Sequence, residues 1–535
     1  MIVFVVSTLA LVYFTFAQLQ QLAGPRAIPS RPGVNDESVF TLHPEEHIFR
    51  QPTTIKRIFR VTSVSRRPDG VLKQVYLIND AFPGPTLEAR SGDRLIIEVE
   101  NALEDGEGLT IHWHGLSMRG ENEMDGAAGI TQDAIAPGET FTYDFSIEPH
   151  QHGTFWYHAH DGVQRADGLF GGLVVHAPSQ AHSKSTVPAE KLLLVEDWYH
   201  RSAAQALDFY MHLGSFGNEP VPDSILLNGQ GAFNCSDAVA ARPLDCEQRS
   251  TDDISSLRLE GDRENVIRIV NVGAYSGISI SVAGSSLAPL AVDGGTPVQR
   301  TQARTVGYIQ PGERVDFLVQ SLPDWQRDTH MEVSLDTTPF KMSNPALTTT
   351  HQFPVSWTHQ SDLLANVSEV ESERFDLEEL KPELQQSSLM PREANHTIVL
   401  YTMTQKLSHL DNVPHGMINN TFWKPQDKPL NALHRDERDK SLLIPAIPFD
   451  SAHPLWVDIV VNNLDEEGHP FHLHGYDFWV LSKYSSTFNW GSYNPYLDAS
   501  PPGGPYDLEN ALKKDTVWVP RRGYAVLRLK ADNPG

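Results

Sequence analysis

Three stretches of this chain repeat one plan: a β-branched strand, an asparagine turn, then a Pro or Gly turn leading into a second strand. The first runs Leu95–Val99 to Asn101, with Pro137-Gly138-Glu139 before Phe141–Phe145. The second runs Val266–Val270 to Asn271, with Pro311-Gly312-Glu313 before Val315–Val319. The third runs Val457–Val461 to Asn462, with Pro520 to Gly523 before Ala525–Leu529. Alternating β-branched residues between turn signals specify strands, and their spacing specifies sandwiches. The chain of 535 residues has room for three or four domains of roughly 150 residues. The expected fold is all-β: three consecutive Greek-key β-sandwiches. Residues 46–177, 186–340 and 391–535 are the expected sandwich domains, with 341–390 an acidic, Ser/Thr-rich linker.

Lys and Arg number 42 against 68 Asp and Glu, a net charge of −26. No basic footprint for nucleic acid or an anionic membrane is expected, so neither is a partner. The two cysteines exclude a disulfide-dense scaffold and Cys-rich zinc modules. Residues 1–17 are almost wholly apolar and read as a secretory signal, with an uncleaved anchor as the alternative. Residues 18–45 read as a leader segment. Four glycosylation sequons, at Asn234, Asn366, Asn395 and Asn419, agree with a secreted, extracellular protein; association with a cell wall or membrane is the alternative. In an oxidising compartment Cys235 and Cys246 form a local disulfide; two inert thiols are the alternative.

Histidine pairs carry the chemistry. They are His112-Trp113-His114-Gly115, His158-Ala159-His160, and His469-Pro470-Phe471-His472-Leu473-His474-Gly475. In a strand, residues i and i+2 share a face, so each pair aims two imidazoles at one place. Neutral imidazole suits copper, zinc, iron or nickel, and copper(II) binds most tightly of the divalent series. Three pairs, from the first and third repeats, suit a cluster of several metals. His469, set apart by Pro470, can serve a different one.

With these pairs, Met124-Asp125-Gly126, Thr131-Gln132, Gly153 to Tyr157 and Asp197-Trp198-Tyr199-His200, the chain resembles the multicopper oxidases, particularly fungal laccase-like members. The resemblance implies cupredoxin-like domains and four coppers: type 1, type 2 and a type 3 pair. It implies that His112 and His472 hold the type 2 ion and that His114, His158, His160 and His474 hold the type 3 pair. It implies His469 as a type 1 ligand. Asp125 resembles the carboxylate that assists proton delivery to bound oxygen; a turn-capping Asp before Gly126 is the alternative. Asp197 resembles the carboxylate lining the substrate pocket; a strand-end Asp with a structural hydrogen bond is the alternative.

The family's His-Cys-His segment is not in the sequence, so the type 1 site cannot be completed from these residues and the third sandwich is expected to be incomplete at its C-terminus. The expected activity is one-electron oxidation of phenols or diphenols coupled to four-electron reduction of dioxygen to water, with no partner protein. The 535 residues alone are expected to be inactive or a fragment. A ferroxidase and a non-catalytic copper-binding protein are the alternatives. Of the carboxylates a ferroxidase needs, only Asp197 can be placed.

Overall fold

The computed structural model describes residues 40–179, 187–323, 326–358, 370–442, 444–445, 447–448, 452–489 and 491–534. The expected signal, residues 18–39 of the leader and the sequon at Asn366 lie outside them. The regular secondary structure of the described residues is nearly all strand. Each repeat makes the same three-strand ribbon. In the first, Arg94–Asn101 lies parallel to Thr54–Arg66 and antiparallel to Thr140–Ser146. In the second, Asn265–Asn271 lies between Ala189–Trp198 and Arg314–Ser321 in the same senses. In the third, Leu455–Asn463 lies between His396–Lys406 and Tyr524–Ala531.

A second sheet covers the first ribbon: Gly84–Arg90, Phe170–His176, Gly153–Ala159 and Ile111–His114, in that order. Phe59, Ile97, Val99, Trp113, Tyr143 and Phe145 fill the space between. The second unit continues as a twelve-stranded ladder around Ile267, Ile269, Phe317, Val333 and Trp357. In the third unit, the sheet that carries histidines has two strands, His469–His472 and Thr516–Val519.

The repeated asparagine explains why the ribbons recur. Asn101 is fully buried; its amide donates to Glu107 O (2.9 Å) and Ile135 O (2.8 Å), and its Oδ1 accepts from Leu103 N (3.0 Å). Asn271 does the same with Ser276 O, Ile309 O and Gly273 N. In the third repeat the equivalent residue is Asn463, not Asn462. It donates to Glu467 O (2.7 Å) and Val519 O (3.3 Å) and accepts from Asp465 N (2.9 Å). Each side chain satisfies backbone groups at the end of a sandwich that would otherwise be buried unpaired.

Two expected boundaries need correction. Within 341–390, Thr350–Trp357 and Ser372–Asp376 are strands of the second unit's sheet, the former paired with Asp328–Leu335 and the latter with Ala303–Ile309. Phe353, Val355 and Trp357 alternate into the core, a period-two signal obscured by polar neighbours. The leader's last residues are also part of the fold. Phe40 and Leu42 are buried, and Leu42 N donates to Glu190 O (3.1 Å). Beyond them, His43 N and Nδ1 bond Glu88 at 2.7 and 3.0 Å, while His176 Nε2 lies 2.9 Å from the same carboxylate.

Asn271→Ala strands three buried backbone groups and is expected to destabilise the protein by about 2 kcal/mol, measured by denaturant unfolding. The strap at residues 40–47 is expected to be acid-labile. Burial alone would raise the Glu88 carboxyl, but bonds from His176 and His43 bring it down to about 2 from 4.5. A depressed carboxylate stabilises the fold above pH 4.5, and that contribution is lost as pH falls through 2. Hydrogen exchange at Leu42 should rise across that window in the wild type, and the step should vanish in Glu88→Gln.

Candidate metal centre

Antiparallel pairing brings the first two histidine pairs together. Ile111–His114 lies beside Gly153–Ala159 with His112 opposite His158, and His160 follows at the strand's end. Gly126, at φ +83°, lets the neighbouring loop close on this strand; a Cβ there would lie 1.9 Å from Ile111 O. The third pair arrives from the third unit. His474 stacks on His112 with centroids 3.9 Å apart, and His472 stacks on His114 at 3.7 Å. His112 stands 5.4 Å from His158 and 5.5 Å from His160, and His160 stands 4.8 Å from His474. Six rings from two units thus form one cluster.

Hydrogen bonds fix how those rings face. The Nδ1 atoms of His112, His158 and His472 donate to the carbonyls of Asp125 (2.8 Å), Ala159 (2.9 Å) and Asp515 (2.9 Å). His474 Nδ1 donates to Asp125 Oδ2 at 2.8 Å. Each of these bonds leaves Nε2 unprotonated in a neutral ring. The Nε2 atoms of His112 and His472 are buried with no hydrogen-bond partner among the described residues. Burial holds His114 and His158 well below the ordinary imidazole range and brings His160 down to about 3, with neighbouring histidines adding to the effect. Buried neutral nitrogens with unshared lone pairs are what a copper ion requires, so the residues present fit the metal. His112–His114–His158, His112–His472–His474 and His114–His472–Asp515 each bring three ligand atoms within 4.8 Å of one another.

Asp125 is 5% exposed and serves two of the clustered histidines, His112 through its backbone oxygen and His474 through its carboxylate. Burial alone would raise its carboxyl, but His112 and His474 hold it well below the usual range. Sequence reasoning missed Asp515, Thr516 and Arg314, which join the cluster from behind. Asp515 forms a two-pronged ion pair with Arg314, at 2.6 and 2.5 Å. Thr516 Oγ1 lies 3.0 Å from His114 Nε2. Gly115, at φ +92°, leaves room for that ion pair, since a Cβ would meet Arg314 Nη2 at 2.7 Å.

His469 makes no ring contact with the six. Its Nε2 bonds Asp465 Oδ2 at 2.9 Å, and Asp465 also accepts from Thr404 N. This corrects the expectation that only Asp197 could be placed as a carboxylate on the donor side; the signal was the i to i+4 spacing in Asp465-Glu466-Glu467-Gly468-His469. Both cysteines are joined as Cys235–Cys246, so these residues do not make a His₂Cys site around His469. Asp197 is 2% exposed, and its carboxylate accepts from the backbone N–H groups of Ala274, Tyr275 and Ser276 at 2.6–2.8 Å. That is the structural hydrogen-bonding position of a strand-end Asp, not the lining of an open pocket.

Asp125→Ala removes the acceptor that orients His474. Copper affinity is expected to fall roughly 10–100-fold in an equilibrium dialysis titration. Unchanged affinity would show that Asp125 does not orient a ligand.

Family models described as multicopper oxidase match residues 60–180, 189–346 and 402–535. The chain is 29% identical to a laccase-2 of Cryptococcus neoformans, over 95% of this chain and 85% of that protein. It is 30% identical to the iron transport multicopper oxidase fetC of Epichloe festucae, over 90% of this chain and 73% of that one. Among solved structures, Fet3p, a multicopper oxidase that functions in iron import, shares the fold with a TM-score of 0.71 at 22% identity, over 90% and 86% of the two chains. The laccase of Botrytis aclada superposes with a TM-score of 0.67 at 25% identity, over 94% and 88%. The three sandwiches and the histidine centre shared between the outer two are therefore those of a member of the multicopper oxidase family, whose cofactor is copper.

Proposed function

We propose that this multicopper oxidase is laccase-like: it takes single electrons from phenols or diphenols and delivers them to dioxygen, which leaves as water. Copper, when bound, supplies the one-electron redox chemistry and the affinity for dioxygen. The chain's own part is to hold six neutral imidazoles in place and to manage protons. Asp125 Oδ1 lies 3.3 Å from His112 Nδ1 and has no hydrogen-bond partner among the described residues, so an ionised carboxylate oxygen is free to accept a hydrogen bond beside the centre.

The observation that carries the phenol reading is an aromatic pair close to the turn that holds His469. Tyr275 and Phe340 stack with centroids 5.5 Å apart. The next residue, Lys341, reaches Glu467 Oε1 at 3.9 Å, two positions before His469. A stacked ring pair suits a planar aromatic donor, and Asp465 is a base for the proton an oxidised phenol releases. The disulfide supports an oxidising, extracellular setting.

A second reading has its own observation. Asp465, Glu467 and Glu219 gather near this turn. Burial first, then the negative charges of Glu219 and Glu467, push the Tyr275 hydroxyl up, and Glu219 with Asp465 adds to burial in raising Tyr210 to about 12. Carboxylates in such a group suit ferrous iron as the electron donor.

The test is oxygen uptake with a phenol and with ferrous iron. Because His469 has no thiolate partner within the 535 residues, it is run on this chain and on a longer form carrying a His-Cys-His segment. The longer form is expected to consume oxygen with phenols and the 535 residues alone are not. Asp465→Asn in the longer form is expected to lower phenol kcat/KM by roughly a hundredfold and to flatten its pH profile. Efficient iron oxidation that Asp465→Asn abolishes, with phenol turnover unchanged, would establish the ferroxidase reading instead.

A further inference from the structure

We infer that Asn234 and Asn395 carry N-linked glycans and that Asn419 does not, because the Asn419 side-chain amide is a structural part of the third unit with a counterpart in each of the other two. The inference rests on passage through a secretory route, the setting to which the disulfide points, and is independent of the electron donor.

Each unit contains a tight turn built on an asparagine. Ile78 and Ala81 bond each other in both directions at 3.1 and 3.0 Å, as do Leu227 and Gln230 at 2.9 and 3.0 Å, and Ile418 and Thr421 at 2.8 and 3.0 Å. The two residues between them are left-handed in every case. Asn79 and Asp80 have φ of +53° and +63°, Asn228 and Gly229 +46° and +75°, and Asn419 and Asn420 +49° and +65°. A two-residue turn with both φ positive favours asparagine in the first place.

In each turn the side chain then bonds the first strand of the unit's ribbon. Asn79 Oδ1 accepts from Arg60 N (2.8 Å) while its Nδ2 donates to Ile58 O (2.7 Å). Asn228 pairs in the same way with Leu194 N (2.6 Å) and Leu192 O (2.9 Å). Asn419 pairs with Tyr401 N (2.8 Å) and Val399 O (3.1 Å). Backbone groups two residues apart lie on one edge of a strand. The amide therefore turns its oxygen, and the N–H on the oxygen's side, toward that edge. Glycosylation joins Nδ2 to the anomeric carbon of an oligosaccharide carried on a lipid pyrophosphate; the lipid pyrophosphate leaves and the amide loses one proton. The new carbon takes the oxygen's side of the amide, as the following Cα does in a trans peptide. At Asn419 the bond to Val399 O occupies that side. The first two turns spell no sequon, since Ala81 and Gln230 stand where the third has Thr421.

The other two sequons are arranged differently. Asn234 is exposed at φ −81°, and its Oδ1 accepts from Ser236 N (3.2 Å) and Ser236 Oγ (2.9 Å). Asn395 is exposed, and its Oδ1 accepts from Trp456 N (2.8 Å). In both, only the oxygen is used, and Nδ2 has no hydrogen-bond partner among the described residues. A sugar can replace either of its hydrogens without breaking a bond of the fold.

The test is to express the chain in the secretory pathway of a yeast and recover protease-resistant protein from medium and cells. Its glycans are then released with a peptide-N-glycosidase in ¹⁸O water, and each site is read by peptide mass spectrometry. Label is expected at Asn234 and Asn395 and not at Asn419. Thr421→Ala removes the third sequon and keeps the amide, so its urea unfolding is expected to match wild type. Asn419→Gln and Asn228→Gln are each expected to lower the folding equilibrium about tenfold, although only the first touches a sequon. An occupied Asn419 in the protease-resistant protein overturns the inference, as does an unmodified Asn234 or Asn395. So does a Thr421→Ala variant as impaired as Asn419→Gln, or an Asn419→Gln variant as stable as wild type.

Discussion

The buried ion pair between Arg314 and Asp515 is the joint on which the centre depends. Neither side chain meets solvent to any extent, so each alone would be a costly buried charge. Two short bonds between guanidinium and carboxylate offset that cost, and Arg314 spends its other donors on Thr154 O and Gly312 O. One arginine of the second unit thereby holds a histidine-bearing strand of the first unit and the strand that backs His472 in the third. The six clustered histidines come from the outer units, which are far apart in sequence. Their convergence is a tertiary event, and the pair fixes its geometry.

Within that frame, ordinary strand physics does the rest. A two-residue period puts His112 and His114 on one face, and antiparallel register sets His158 beside them. Carbonyl acceptors fix the tautomers, and burial keeps the rings neutral. Asp125 and Asp515 each serve two histidines, Asp125 the stacked pair His112 and His474, Asp515 the stacked pair His114 and His472. The donor side is built differently: Asn463 ties down the turn that contains Asp465, and Asp465 in turn bonds His469.

The parts of this arrangement that were legible in the sequence are those written in local periods. The three ribbons follow from alternation and turn residues, and the three histidine pairs from i, i+2 spacing. Asp125 was legible through the Met-Asp-Gly resemblance. Arg314, Asp515 and Thr516 were not, because nothing local marks an arginine after Pro-Gly-Glu or an aspartate after two lysines as a partner two hundred residues away. Asp197 was misplaced for a related reason: its carboxylate satisfies a turn at residues 274–276, and only the fold reveals that those N–H groups need an acceptor. Thr350–Trp357 was hidden by composition, since acidic and hydroxylic neighbours outweighed three alternating apolar residues.

The central claim is that histidines of the first and third units make one copper centre. A crystal of the copper-loaded chain, with diffraction recorded on both sides of the copper absorption edge, tests it most directly. The account predicts anomalous peaks inside the cluster of His112, His114, His158, His160, His472 and His474, with ligands from both units around them. Copper bound by the histidines of one unit alone, or only at sites away from these rings, would contradict it.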